Sequence, residues 1–184
     1  MDIRKIFGAE IGTLIYGAGK GIIRSFQDFD LCAEPYMKHP KNTIYYFGDL
    51  DYEGIGIYEN LAEKFRSRWK IIPFVPAYQA MLGKVEQITE LPETKEHQNR
   101  NISTQFFSCF DEIMVKKMEA VLDKDRYIPQ GNFKYCRFLT QILTQRGGYI
   151  TVHAVLSNVA KIHSRLPAAM EFWLVCLGIV VCEQ

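Results

Sequence analysis

An apolar run followed by two aspartates and two glycines constrains the fold of this chain more than any other stretch. Residues Thr43–Phe47 are β-branched, apolar or aromatic, which is typical of a buried strand. Because side chains at i and i+2 of a strand share a face, Asp49 and Asp51 are expected to leave its carboxyl end together. Gly54 and Gly56 then mark a close backbone turn into a helix. The pattern predicts half of a parallel βαβ unit, whose ligand site lies at the carboxyl ends of the strands.

Two carboxylates on one face repel each other by roughly 3 kcal/mol at about 5 Å and an effective dielectric constant of about 20. A proton shared between them, a basic partner or a hard divalent cation would offset this repulsion, and Mg²⁺ or Mn²⁺ suits oxygen ligands from one or two carboxylates. Glu53 is a candidate third oxygen ligand. In the alternative interpretation, Asp49 and Asp51 cap the following helix and face water, as in a plain α/β scaffold. The residues alone leave both interpretations open.

The segment YYFGDLDYEGIGIY, at positions 45–58, resembles the D-x-D motif of Toprim domains. It is most similar to the form in the nuclease subunit (JetD) of Wadjet anti-plasmid systems and in the topoisomerase VI A subunit. Two later segments fit the same family, IPFVPAY at 72–78 and RYIPQ at 126–130. The resemblance spans roughly residues 13–130. It implies an α/β, Toprim-like (Rossmann-like) parallel sheet flanked by helices.

The same resemblance implies a function. It indicates a Mg²⁺- or Mn²⁺-dependent DNA endonuclease that acts in plasmid or phage defence, with Asp49 and Asp51 as catalytic residues and metal ligands. Hydrolysis is favoured over strand passage, because the tyrosine nucleophile of Toprim topoisomerases lies on a separate domain. The implied partners are DNA and the SMC-like subunits of a defence complex, and a homodimer is possible.

One departure from the family concerns the catalytic acid. Toprim domains carry a glutamate before a glycine at the end of an earlier strand. Here the earlier strand is expected at Thr13–Tyr16, and Ala18 precedes Gly19. Either Ala18 replaces the acid, or another carboxylate such as Glu10 takes its place, or the two sequences align differently. The alternative function is therefore a degenerate Toprim module that binds metal and DNA without cleaving.

Glycines at 17, 19 and 21 surround Lys20 and precede a predicted helix. A glycine-rich turn at a helix N-terminus can bind an anion. Lys20 and Arg24 are therefore candidate contacts to a DNA phosphate, and a tight strand-to-helix turn is the equally simple alternative. Further along the chain, we expect a helix over 54–69, a strand over 71–75 that Pro73 places at a sheet edge, a polar linker over 86–101 and a helix over 105–122.

Composition sets the remaining expectations. The chain has 184 residues and a net charge of +1, so a DNA contact must come from local patches rather than from overall charge. We expect a Toprim-like domain over 1–130 and a helical C-terminal extension over 131–184. Five cysteines without a C-x-x-C pair favour reduced thiols and a cytoplasmic location. The longest apolar run, 172–182, is too short to span a bilayer, so no membrane association is expected.

Overall fold

In the computed structural model, residues 5–11, 13–17, 19–130 and 179–182 are described. They form a mixed α/β arrangement in which a small sheet is flanked by helices. The strands are β1 (Lys5–Ile6), β2 (Ala9–Glu10), β3 (Thr13–Tyr16), β4 (Thr43–Phe47), β5 (Lys70–Pro73) and β6 (Ile179–Cys182). The helices are α1 (Gly21–Ser25), α2 (Phe29–Cys32), α3 (Tyr52–Phe65), α4 (Val75–Leu82) and α5 (Glu112–Leu122). Short 3₁₀ helices span Phe26–Asp28, Pro35–Lys38, Ile88–Glu90 and Phe107–Cys109.

The main sheet has the strand order β3-β6-β4-β5 among the described strands. Strands β4 and β5 are parallel, with Ile44 opposite Ile71, as the βαβ pattern predicts. Strand β6 lies between β3 and β4 and is antiparallel to both, so the described sheet is mixed rather than parallel throughout. Since β3 and β4 are each antiparallel to β6, they run in the same direction.

The C-terminal extension departs from expectation where it is described. Residues Ile179–Cys182 form a strand, although we expected this part of the chain to be helical. The segment Ile-Val-Val-Cys is mostly β-branched, and such residues fit a sheet better than a helix. Residues 131–178, which carry the rest of the predicted extension, lie outside the described residues.

The β4–α3 unit forms the centre of the described core. Ile44, Tyr46 and Phe47 are at most 4% exposed, which fits a strand covered on both faces. Helix α3 begins at Tyr52, two residues earlier than predicted, and ends at Phe65 rather than near residue 69. Strand β5 follows and lies at the edge of the described sheet, the position that Pro73 predicts.

Aromatic side chains hold the surrounding elements against this unit. Phe106 is fully buried, and its ring centroid lies 5.6 Å from that of Tyr58 on α3 and 5.3 Å from that of Tyr78 on α4. Edge-to-face contacts of this kind each add about 0.5–1.5 kcal/mol beyond the buried area. The predicted linker is therefore followed by a segment packed firmly into the core.

Helix α5 starts later than predicted, at Glu112 rather than Gln105. Asp111 caps it, because its carboxylate accepts a hydrogen bond from Met114 N at 2.8 Å. The inner face is formed by Met114, Met118, Val121 and Leu122, whereas Ile113 is 71% exposed. None of the helices in the described ranges has the length and apolar character needed to cross a bilayer.

Candidate functional site

The turn from β4 into α3 depends on a close backbone approach at Gly54. A Cβ atom at Gly54 would lie 2.2 Å from the carbonyl oxygen of Asp49, whereas one at Gly56 would meet no atom within 4 Å. The Tyr46 hydroxyl donates a hydrogen bond to the Gly54 carbonyl at 2.8 Å and fixes the turn further. The predicted glycine turn is therefore confirmed at Gly54. Gly56 is a helical residue with open space around it.

Asp51 combines a structural role with a position at the site. It is 6% exposed and forms the N-cap of α3, with its Oδ1 accepting a hydrogen bond from Gly54 N at 2.6 Å. Its Oδ2 accepts a second hydrogen bond, from Gln98 Nε2 at 2.7 Å. Asp51 thus caps the helix as the alternative interpretation predicted, but it is buried rather than facing water, and both of its oxygens have neutral partners.

Asp49 does not cap the helix. Its Oδ1 accepts a hydrogen bond from the backbone N of Gln130 at 2.8 Å. Its Oδ2 accepts no hydrogen bond from the described part of the chain. Gln130 is 1% exposed, and its side-chain Nε2 donates to the Phe47 carbonyl at 3.0 Å, so the glutamine bridges the strand end and the carboxylate. Asp49 therefore keeps one carboxylate oxygen for a ligand.

The 126–130 segment pairs with the backbone between the two aspartates and contacts Asp49. Leu50 and Ile128 exchange two backbone hydrogen bonds, at 3.0 and 3.3 Å, immediately beside Asp49. The same segment also pairs with residue 92, because Tyr127 N donates a hydrogen bond to the Pro92 carbonyl at 3.1 Å. Residues 91–101, which we call the 91–101 loop, are thereby connected to the end of β4. The sequence predicted a linker here, whereas the structure places Gln98 from this loop against Asp51.

Burial raises the pKa of both aspartates. For Asp49, burial acts first, the hydrogen bond from Gln130 N opposes it, and the negative charge of Asp51 adds to the rise. For Asp51, burial again dominates and is opposed by the hydrogen bonds from Gly54 N and Gln98. Lys95 lowers the pKa of both, as a smaller effect. No basic side chain of the described residues forms a salt bridge with either aspartate, so the ionised pair is stabilised mainly by neutral donors.

Glu53 lies near enough to both aspartates for its negative charge to raise their pKa values. Its carboxylate is 3.4 Å from Lys20 Nζ, and the Lys20 side chain is 74% exposed. Within the described ranges, no three side chains from His, Cys, Asp and Glu come together as a metal-binding group. Glu53 as a ligand therefore stays a prediction, as does a metal site at Asp49 and Asp51.

The glycine-rich turn is formed as predicted. Gly19 has a φ of +66°, which favours glycine, and α1 follows from Gly21. Arg24 and Lys20 are exposed, so both can reach a large ligand, and their contact with DNA stays a prediction. Ala18, the position of the missing glutamate, lies outside the described residues, and Glu10 belongs to β2.

The sequence did not predict that Gln98 and Gln130 contact the aspartates. Gln98 lies 47 positions from Asp51, in a polar stretch with no periodic signal. Gln130 lies 81 positions from Asp49, although the RYIPQ segment that contains it was already part of the resemblance. No family model, curated protein or solved structure matches this chain. The resemblance to Toprim domains therefore stays a prediction from the sequence.

The arrangement suits a divalent cation with a phosphate. Mg²⁺ is commonly bound through one or two carboxylates, with water and substrate phosphate completing its shell. Asp49 offers an oxygen without a hydrogen bond from the described residues, and Asp51 lies near enough to raise its pKa. A hydrogen-bonded carboxylate oxygen retains a lone pair for a metal. The donor set thus fits Mg²⁺ or Mn²⁺ with two protein ligands.

Proposed function

We propose that this chain is a Toprim-like module that binds DNA through Mg²⁺ or Mn²⁺ held by Asp49 and Asp51. One observation carries the proposal. Two largely buried carboxylates lie at the carboxyl end of β4, and the described residues give them hydrogen bonds from neutral groups but no salt bridge. Burying ionised groups without an opposite charge is costly, and such arrangements concentrate at functional sites. A bound cation would supply the missing positive charge.

The cation also explains how an acidic site would hold DNA. Asp49, Asp51 and Glu53 present negative charge at the end of β4 and the start of α3, which repels a phosphate in the absence of a cation. When bound, Mg²⁺ or Mn²⁺ neutralises the carboxylates and polarises a phosphoryl oxygen. Lys20 and Arg24 are exposed on the neighbouring turn and α1, where they can contact the backbone. DNA binding is thus expected to depend on the divalent ion.

The second candidate function is the DNA endonuclease of plasmid or phage defence. Asp49 favours it, because its Oδ2 has no hydrogen bond from the described residues and could hold a cation that would activate an attacking water. Asp51 is less suited, since both of its oxygens already accept hydrogen bonds. The SMC-like partners, a homodimer and a cytoplasmic location remain predictions from the sequence.

The two candidates are separated by measuring binding and cleavage on the same preparations. Calorimetric titration with Mn²⁺ gives the cation affinity, and fluorescence anisotropy of a labelled duplex gives DNA binding with and without the ion. Relaxation of supercoiled plasmid measures cleavage. Asp49→Asn should abolish cation binding and cation-dependent DNA retention. Asp111→Asn is the matched control, because Asp111 caps α5 away from the site and asparagine caps a helix equally well.

The outcomes are distinct. Mn²⁺-dependent DNA retention that Asp49→Asn removes, without plasmid nicking, supports the binding module. Nicking that Asp49→Asn abolishes and Asp111→Asn leaves unchanged supports the endonuclease instead. A chain that binds no Mn²⁺ or Mg²⁺ at millimolar concentration contradicts both, and leaves a plain α/β scaffold in which Asp51 acts as a helix cap.

A further inference from the structure

The side-chain amide nitrogen of Gln98 donates a hydrogen bond, whereas its amide oxygen has no partner within the described structure. Its Nε2 donates to Asp51 Oδ2 at 2.7 Å. Its Oε1 is buried and accepts no hydrogen bond within the described structure. Buried polar atoms are nearly always paired, so such an exception calls for a physical explanation. The unpaired atom belongs to the side chain that contacts the proposed cation ligand Asp51.

A rotation of the amide by 180° exchanges its oxygen and nitrogen. In the absence of a cation, the nitrogen must face Asp51, because a carbonyl oxygen against a carboxylate would be repulsive. With a cation between them, the preference reverses, since the oxygen becomes a ligand and the NH₂ group loses its acceptor. Amide oxygens of Asn and Gln are common ligands of hard divalent cations.

The surroundings of Gln98 allow this rotation while holding the backbone in place. The 91–101 loop is fixed by the hydrogen bond from Thr94 N to the Asp125 carbonyl, at 2.8 Å, and by the ion pair between Arg100 and Asp125. Gln98 lines a cavity of about 350 Å³ between this loop and residues 124–126. Because the amide oxygen and nitrogen are nearly equal in size, the rotation exchanges their positions without displacement of the loop.

A second glutamine shows the same feature at the other aspartate. Gln130 is 1% exposed and its Oε1 is likewise buried without a partner in the described residues. Its backbone N contacts Asp49, but its Nε2 is held by the Phe47 carbonyl at 3.0 Å. Each of the two aspartates is thus contacted by a glutamine whose amide oxygen is buried and unpaired within the described structure, and such oxygens are hard ligands of the kind that a divalent cation prefers. Gln98 is the more exposed of the two and the one whose amide touches a carboxylate.

We infer that Gln98 is the third protein ligand of the cation site and that its carbonyl oxygen turns toward Asp51 when Mg²⁺ or Mn²⁺ binds. The inference rests on the proposed function, since it extends the site of Asp49 and Asp51. It replaces the role that the sequence suggested for Glu53, which lies beside Lys20. The site then has two charged ligands and one neutral ligand.

The test measures Mn²⁺ affinity by calorimetry on the full chain in the absence of DNA. Gln98→Met keeps the length of the side chain and removes the oxygen, so it should weaken binding by about tenfold or more. Gln98→Glu supplies a charged oxygen and should bind Mn²⁺ more tightly than the wild type. Gln79→Met, on the exposed side of α4, is the matched control and should leave the affinity unchanged.

The results separate this inference from the function on which it rests. Wild-type affinity that is lost in Asp49→Asn but unchanged or increased in Gln98→Met overturns the inference alone, because Gln98 would then merely compete with the ion. Absence of Mn²⁺ binding by the wild type overturns both. Circular dichroism and the unfolding midpoint verify that each variant is folded. If Gln98→Met fails to fold, Gln98→Glu decides, because unchanged or weaker binding in that variant also overturns the inference.

Discussion

The carboxylates on the outer surface and those at the end of β4 are stabilised in different ways. On α5, Glu112 is 80% exposed and lies 2.6 Å from the ammonium of Lys116. Asp30 and Arg68 form another pair, which links α2 to the turn after α3. Asp49 and Asp51 are far more buried, yet within the described structure their hydrogen-bond donors are two backbone amides and one glutamine.

The two groups of carboxylates differ in their effect on the stability of the folded state. Exposed ion pairs contribute roughly 0–1 kcal/mol each, so their loss matters little. Burial raises the pKa of both aspartates. Without a salt bridge, their ionised forms destabilise the folded state at neutral pH. Proteins tolerate such groups mainly where a ligand is bound.

The largest expected effect on stability comes from a substitution at Gly54, in the turn that positions the two aspartates. Gly54→Ala would bring a Cβ to 2.2 Å from the Asp49 carbonyl oxygen, and backbone cannot move aside as a flexible side chain can. We expect a loss of about 3 kcal/mol or more in the free energy of unfolding, measured by urea denaturation. Gly56→Ala is the control, because its Cβ meets nothing within 4 Å, and it should stabilise the helix by about 0.5–1 kcal/mol. Equal stabilities for the two variants would contradict the close approach.

This turn is also the part of the site that the sequence predicted best. The apolar run Thr43–Phe47 and the strand are identical in extent, because a buried strand has a continuous apolar pattern. Their place in the sequence put Asp49 and Asp51 just after this strand, but β4 ends at Phe47, so the strand alternation expected to put both on one face does not extend to them. The start of α3 was misplaced by two residues, since the sequence did not identify Asp51 alone as the cap and both aspartates were left as candidate caps.

The rest of the site could not be predicted, for two physical reasons. Gln98 and Gln130 reach the aspartates through tertiary contacts across 47 and 81 positions, and no local periodicity reports such contacts. Strand β6 inserts between β3 and β4 from the far end of the chain, and a short apolar run fits a strand or a buried helix equally well. The parallel β4–β5 pair was predictable, whereas the mixed sheet was not.

The second effect in size is stabilisation by the cation. If Mg²⁺ binds the folded state with a dissociation constant of about 1 mM, about 10 mM Mg²⁺ raises the free energy of unfolding by about 1.4 kcal/mol. Thermal or urea unfolding of the wild type with and without the ion measures this gain. Asp49→Asn should show none of it, and Asp111→Asn should show all of it. An equal gain in all three proteins would indicate a general salt effect.

A smaller change is expected from neutralising Asp49 in the absence of a cation. Asparagine retains an Oδ1 that accepts from Gln130 N, so Asp49→Asn removes the buried charge and keeps the hydrogen bond. We expect the variant to be more stable than the wild type at pH 7, by about 1 kcal/mol. Urea denaturation in the presence of a chelator measures the difference.

The pH dependence of that difference identifies its cause. Because burial raises the pKa of Asp49 in the folded protein, the folded state binds the proton more tightly than the unfolded chain does. The wild type is therefore relatively most stable below the ordinary aspartate pKa and loses stability as the pH rises through the raised value. The advantage of Asp49→Asn should vanish below about pH 3.5 and reach its full size above the raised pKa. An advantage that is constant with pH would exclude burial of the charge as its source.

The smallest effect on stability is expected at the exposed pair beside the site. Lys20→Gln breaks the contact with Glu53 at 3.4 Å, and because the lysine is 74% exposed, the cost should be below about 0.5 kcal/mol. Lys116→Gln removes a similarly exposed lysine, 71% against 74%, from an ion pair on α5 and is the control. Both variants should have the same free energy of unfolding. Their DNA affinities should differ in salt dependence. If Lys20 contacts a phosphate, Lys20→Gln lowers the slope of log affinity against log salt by about one, while Lys116→Gln leaves it unchanged. Equal slopes would indicate that Lys20 pairs with Glu53 and does not contact a DNA phosphate. DNA binding would then depend on the cation and Arg24.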